Sequence, residues 1–162
     1  MKINTVNEIK NYILEHIHIE SPDVWEFEIS SQVTKLINSL NQNEINEFSN
    51  CALEWDDEIL YLITLSFHDV TNIFLDVTEM YINIFCKIKN IEFLELLVEN
   101  DIPFIRPPYD TIEKLKDWNI EQLKNLKENI EMAMTIKSES WNETLNEVVA
   151  YLNKQIVIKA SR

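Results

Sequence analysis

The chain has no glycine among its 162 residues, and this absence restricts its fold more than any other feature. Folded proteins carry about 7% glycine, because glycine adopts the positive φ angles that other residues avoid. Two-residue β-hairpin turns depend on such angles, so a sheet built from many hairpins is disfavoured. Phosphate-binding loops and dinucleotide fingerprints are excluded, because glycines define both motifs.

Apolar residues recur at three- and four-residue spacing along nearly the whole chain, which predicts amphipathic helices. Capping-box spacing, in which two side chains three residues apart cap a helix start, marks several of these helices. It occurs at Asn41 and Glu44, Asp110 and Glu113, Asn119 and Gln122, and Ser140 and Glu143. The stripes predicted to be buried include Trp25, Ile29, Val33, Leu36 and Leu40, and later Ile73, Val77, Met80 or Tyr81, Ile84 and Ile88.

The predicted fold is all-α, with about eight short helices packed as antiparallel pairs. A HEAT-like stack of pairs and an irregular bundle both fit this pattern. Two stretches, His16–Glu20 and Trp25–Ile29, also alternate apolar with polar residues and could form one minor hairpin. The tail Gln155–Lys159 alternates in the same way and could be extended.

The length of the chain favours a single domain covering residues 1–162. A subdivision at 101–109 is possible, because three prolines within six residues, at 103, 107 and 108, break any helix there. The charge balance also changes at this point. Residues 1–105 contain 19 acidic and 5 basic residues, whereas residues 106–162 contain 9 of each.

The charged residues between Lys35 and Lys87 are all acidic apart from His68, because no Lys or Arg occurs in this segment. Two interpretations compete for its acids. They could be a solvated face that keeps an acidic protein soluble, or a negative surface that steers a basic partner. Direct binding to nucleic acid is disfavoured, because acidic side chains repel phosphates.

No residue pattern predicts catalysis or a cofactor, so we expect a binding protein and not an enzyme. His16 and His18 lack the four-residue spacing of zinc-binding pairs, and His68–Asp69 has no nucleophile motif beside it. The acids at 56–58 fit a helix start better than a calcium loop, which requires a glycine. Cys51 and Cys86 are predicted to be reduced core thiols.

The N-terminus is polar and no window has the ~20 apolar residues of a membrane span. We therefore expect a cytoplasmic protein without membrane contact, either a monomer or a weak homodimer.

The predicted partner-binding surface centres on Trp55 and the acids beside it. Core packing is the ordinary role of a tryptophan on an apolar stripe, but an exposed aromatic beside acids is a frequent binding hot spot. The residues assigned to this surface are Glu54, Trp55, Asp56, Asp57, Glu58, Asp76 and Glu79. Glu92, Glu95 and Glu99 are the alternative location.

Two segments resemble bacterial immunity proteins of polymorphic-toxin and contact-dependent growth inhibition systems. They are Cys51-Ala-Leu-Glu-Trp-Asp-Asp-Glu-Ile-Leu-Tyr-Leu-Ile63 and Ile91-Glu-Phe-Leu-Glu-Leu-Leu-Val-Glu-Asn-Asp-Ile-Pro-Phe104. The resemblance implies a helical, HEAT-like protein that binds a cognate toxin domain, often a nuclease, in the cytoplasm of the producing cell. No binding residue is transferred from those families. The alternatives are a helical-repeat adaptor for another protein and, third, a helical enzyme with a carboxylate metal site.

Overall fold

The computed structural model describes residues 5–101, 115–134 and 139–162, and no strand occurs within these ranges. The predicted all-α fold of about eight helices is confirmed. Helix α2 begins as Pro22–Val24 and continues through a π-helical segment, Trp25–Ile29, into Ser30–Ser39. Two 3₁₀ turns, Ala52–Glu54 and Phe67–Asp69, lie before and after the helix Asp57–Thr64, which is α4. The other α-helices of the described ranges are α1 Thr5–His16, α3 Gln42–Cys51, α4 Asp57–Thr64, α5 Val77–Lys87, α6 Ile91–Asp101, α7 Ile120–Met134 and α8 Glu139–Ala160.

The possible hairpin does not form, because Trp25–Ile29 is π-helical and His16–Glu20 contains no strand. Trp25 and Ile29 are buried and Phe27 is 69% exposed. Residues four apart share one face of a helix. Trp25 and Ile29 therefore lie together on the buried face, and the third apolar residue of the alternating stretch, Phe27, lies on the exposed face. The Trp25 indole Nε1 donates to the Ile19 carbonyl at 2.9 Å, which fixes the approach to α2.

The extended tail is also wrong, because α8 continues through Gln155–Lys159 to Ala160. The Lys159 ammonium donates to the Lys116 carbonyl at 2.6 Å and ties the end of this helix to an earlier part of the chain.

The buried face of α2 runs through its π-helical segment, with Trp25 at the start of the segment and Ile29 at its end both buried. After the segment, Val33 and Leu40 are buried as the stripe predicts. Ile37 is fully buried and Leu36, the residue predicted for the stripe, is only half-buried.

The chain divides into two compact units, Met1–Tyr81 and Ile82–Arg162, which we call unit 1 and unit 2. In unit 1, α1 packs against α2, α3 and α4, and the Thr34 hydroxyl donates to the Ser66 carbonyl at 2.9 Å. In unit 2, α7 packs against both α6 and α8. The predicted single domain, 1–162, and its possible subdivision at 101–109 stay predictions, and residues 102–114 lie outside the described residues.

Two of the predicted capping boxes are confirmed. The Asn41 side chain accepts from the Glu44 amide at 3.2 Å, and the Glu44 carboxylate accepts from the Asn41 amide at 2.9 Å. Asn119 and Gln122 make the same reciprocal pair, at 2.9 and 3.0 Å. The box at Asp110 and Glu113 lies outside the described residues. The side chain of Ser140, in the fourth predicted box, also lies outside the described residues.

The C-terminal end of α5 is capped by a side chain from α7. Asn129 is fully buried, and its amide nitrogen donates to the carbonyl of Phe85 and, at 3.0 Å, to that of Ile88. Its amide oxygen accepts from the Lys89 ammonium at 3.1 Å. The last carbonyls of a helix lack partners within the helix, so Asn129 stabilises the end of α5 and fixes it against α7.

We expect Asn129→Ala to lower the free energy of unfolding by about 2–3 kcal/mol, because it leaves buried carbonyl groups without donors. Urea denaturation followed by circular dichroism measures this change. Asn153→Ala, which removes an exposed asparagine from α8, is the matched control and should change stability by less than about 0.5 kcal/mol. Equal effects of the two substitutions would contradict the capping role of Asn129.

Candidate protein-binding surface

The main acidic cluster lies where the chain passes from α3 into α4. The Ala52–Glu54 turn ends with the Trp55 amide donating to the Ala52 carbonyl at 3.0 Å. Trp55 and Asp56 then adopt extended backbone angles, with ψ of 161° and 152°. Helix α4 starts at Asp57, so the residues from Glu54 to Glu58 form one short corner, which we call the α4 corner.

The acids of the α4 corner differ in exposure. Glu54, Asp56 and Glu58 are exposed, whereas Asp57 is half-buried. Asp56 occupies the N-cap position without a side-chain hydrogen bond to the helix, and Asp57 and Glu58 lie in the first turn. The positive end of the helix dipole stabilises carboxylates at these positions. These acids therefore have a local structural reason to be clustered as well as an exposed surface.

Trp55 is not an exposed anchor. Its side chain is only 8% exposed and packs edge-on against Phe48, with ring centroids 6.1 Å apart. The Lys10 ammonium of α1 lies 5.9 Å from the centre of the indole ring, within the range of a cation–π contact. The assignment of Trp55 as a partner-facing residue is corrected, since the residue belongs to the core of unit 1.

Lys10 also changes the electrostatics expected from the sequence. The window from Lys35 to Lys87 has no internal Lys or Arg, but the packing of α1 against α3 and α4 brings a lysine to the edge of the α4 corner. Sequence distance could not show this, because Lys10 and Trp55 are far apart along the chain.

Asp76 and Glu79 lie at the start of a different helix, α5. Both are exposed, and the Asp76 carboxylate accepts from the Glu79 amide at 3.0 Å. The Met80 amide donates to the Asp76 carbonyl at 2.9 Å, which makes Asp76 the N-cap residue. The structure thus divides the predicted surface into the α4 corner and a second cluster at the start of α5.

The alternative location lies in unit 2. Glu92 is exposed and Glu95 half-buried on α6. The side chain of Glu99 lies outside the described residues.

Sequence reasoning missed an exposed apolar pair, Ile73 and Phe74, between the Phe67–Asp69 turn and α5. Periodicity predicts Ile73 in the buried stripe of α5, but Ile73 is 87% exposed and precedes the helix. The sequence held a signal that could have placed the helix start correctly. Asp76 and Glu79 have capping-box spacing, which puts Ile73 outside the helix.

The cysteine and histidine side chains differ in exposure and in contacts. Cys51 is exposed, so its prediction as a core thiol is wrong, whereas Cys86 is half-buried and burial raises the pKa of its thiol to about 12. The His16 ring contacts the Tyr12 carbonyl at 2.7 Å and packs against the Tyr12 ring. Among the described residues, no three His, Cys, Asp or Glu side chains lie close enough together to hold a metal ion.

Comparison with known proteins gives no relative: no protein-family model matches the chain, and no similar protein was found among the curated proteins or the solved structures. Within the described residues, no helix has the length and apolar character needed to cross a membrane.

We expect Trp55→Ala to lower the free energy of unfolding by about 3–5 kcal/mol, as for other buried aromatic residues. Thermal and urea denaturation measure this loss. Phe27→Ala removes an exposed aromatic from the same unit and is the control, with an expected change below about 1 kcal/mol. A Trp55→Ala protein as stable as wild type would restore the exposed role predicted from the sequence.

We also expect the two thiols to react differently with Ellman's reagent at pH 8. Cys51 is exposed and should react within minutes, whereas the Cys86 thiol, whose pKa is raised to about 12 by burial, stays protonated and unreactive. The native protein should therefore release one equivalent of thiolate and the denatured protein two. Cys51→Ser should abolish the native reaction, and a fast reaction that persists in this variant would show that Cys86 is accessible.

Proposed function

We propose that this protein is an immunity protein that binds a cognate, basic toxin domain of the nuclease type and neutralises it by stoichiometric association in the cytoplasm. The observation that carries the proposal is the segregation of charge between the two compact units. Unit 1 contains 15 acidic residues and 3 lysines, a net charge of −12, whereas unit 2 contains 13 acidic and 11 basic residues, a net charge of −2.

Solubility alone does not account for this segregation. A protein of this size stays soluble with a net charge of magnitude about 2–8 spread over its surface. Concentrating −12 in half of the chain opposes the folding of that half through self-repulsion. A strongly acidic surface favours binding when the partner is basic, because opposite charges attract.

A nuclease domain has the opposite sign, because its substrate is a polyanion and its binding surface must attract phosphates. An acidic inhibitor would be drawn to that surface by the same field that attracts the substrate. Complementary charge raises the rate of encounter and excludes wrong partners. The exposed acids of the α4 corner and of the α5 start are the groups we assign to this contact.

The partner is sought in the gene directly upstream, where the toxin of an immunity gene lies. Expression of the C-terminal domain of the upstream gene product should arrest growth of the host. Co-expression of this protein should restore growth, and the two proteins should co-purify at equal stoichiometry. Growth arrest that this protein does not relieve, without co-purification, would refute the proposal. Co-purification with an upstream protein that is not toxic would favour the adaptor function.

We expect the double substitution Asp56→Asn/Glu58→Gln to slow association with the toxin domain by about 3- to 10-fold and to change dissociation less, because charges at the rim of an interface act mainly on the on-rate. Both residues are exposed, and asparagine is as good an N-cap as aspartate. The dependence of the association rate on salt should weaken in parallel. Stopped-flow or surface plasmon resonance measurements at several salt concentrations test this.

The matched control for that experiment is Glu121→Gln/Glu128→Gln, which removes two exposed acids from α7 in unit 2. Its association rate should stay within about twofold of wild type. Equal slowing by both pairs would mean that only total charge matters and would move the contact away from the α4 corner.

A further inference from the structure

The segment from Val70 to Asp76, which we call the 70–76 loop, carries two large apolar side chains at its tip. Ile73 is 87% exposed and Phe74 is 49% exposed. Single apolar residues scattered over a surface are ordinary. Two neighbouring ones on one loop, including the most exposed large hydrophobic residue among those described, form a compact apolar projection.

The loop is held in place by hydrogen bonds to the end of α2. The side-chain nitrogen of Asn72, Nδ2, donates to the carbonyls of Ile37 and Leu40 at 2.9 and 2.8 Å. The Thr71 amide donates to the Asn38 side chain at 2.8 Å. These contacts join residues more than thirty positions apart, so the base of the loop is fixed to the body of unit 1.

The tip itself is shaped by Asn72. The Asn72 side-chain oxygen accepts from the Phe74 amide at 3.0 Å, which is an Asx turn, and the Leu75 amide donates to the Asn72 carbonyl at 3.2 Å. Leu75 is buried at 9% exposure and anchors the far side of the turn. Ile73 and Phe74 are therefore presented by an ordered backbone, although they contribute little to the core.

The charge around the loop restricts what can cover it. Asp69 precedes the loop, and Asp76 and Glu79 follow the tip, all exposed. A second copy of the chain docking through this loop would place like charges against each other, which is destabilising. An anionic lipid surface would be repelled for the same reason. A protein with an apolar pocket bordered by Lys or Arg matches both parts of the surface.

We propose that the 70–76 loop is the anchor of the toxin interface, with Ile73 and Phe74 entering an apolar pocket of the basic partner and Asp69, Asp76 and Glu79 facing the cations around it. The inference rests on the proposed function and adds to it the element that holds the complex together. Binding energy in protein interfaces is concentrated in a few buried anchors surrounded by polar residues. A loop already ordered in the free protein loses less conformational entropy on binding.

The test is the affinity of the purified upstream toxin domain for the variant Ile73→Ser/Phe74→Ser. Loss of a hot-spot pair should raise Kd by at least about 30-fold. The increase should lie in the dissociation rate, because the charges that steer association remain. Both residues are exposed, and circular dichroism with a thermal melt of the free variant checks that unit 1 stays folded.

Phe27→Ser is the matched control. Phe27 is also an exposed aromatic of unit 1, at 69%, and it lies between two exposed acids, Glu26 and Glu28. It belongs to the π-helical segment of α2 and not to the loop. We expect its substitution to change Kd by less than about threefold.

Three outcomes would overturn the assignment. If the wild-type protein binds the toxin domain and the loop variant binds within about threefold of it, or no worse than Phe27→Ser, the anchor lies elsewhere and the proposed function stands. If the wild-type protein does not bind the toxin domain, the proposed function fails and the assignment of the loop fails with it. If wild type sediments as a dimer and the loop variant as a monomer, the loop is covered by a second copy.

Discussion

The structure depends on how its helices end without glycine. Many helices end with a left-handed residue, most often glycine, whose conformation lets the following amides reach the last carbonyls. At the ends of α2, the Ala52–Glu54 turn and the Phe67–Asp69 turn, the chain instead leaves in an extended conformation with negative φ, at Leu40, Trp55 and Val70. The last carbonyls then need donors from elsewhere. Two asparagine side chains supply these donors. Asn72 donates to the carbonyls of Ile37 and Leu40, and Asn129 donates to those of Phe85 and Ile88.

These caps connect the stability of the fold to the proposed function. The asparagine that closes the end of α2 also shapes the loop that presents Ile73 and Phe74. Because the same side chain serves both purposes, the turn at the loop tip is joined directly to the helix end. A local αL residue would have ended α2 without fixing any distant segment, so the lack of glycine favours rigid loops that are tied to the core.

The acidic character of unit 1 has a related structural basis. Asp57 and Glu58 lie in the first turn of α4, and Asp76 caps α5. Carboxylates are stabilised by the positive ends of helices, which offsets part of the repulsion among neighbouring acids. A helical fold with many helix starts can therefore present exposed acids at fixed places, where a basic partner would meet them.

The helical fold and the capping boxes at Asn41 and Asn119 could be predicted from the sequence, because both depend on residues within about four positions of each other. It also located the acids of the α4 corner at a helix start. The burial of Trp55 and the exposure of Ile73 could not be predicted in this way, because both depend on contacts with distant segments. Trp55 is buried because Phe48 and Lys10 pack on it, and Ile73 is exposed because Asn72 holds its loop to the end of α2. Periodicity predicts the buried stripe of a regular helix, but the burial of a residue between helices depends on the distant segments that pack against it.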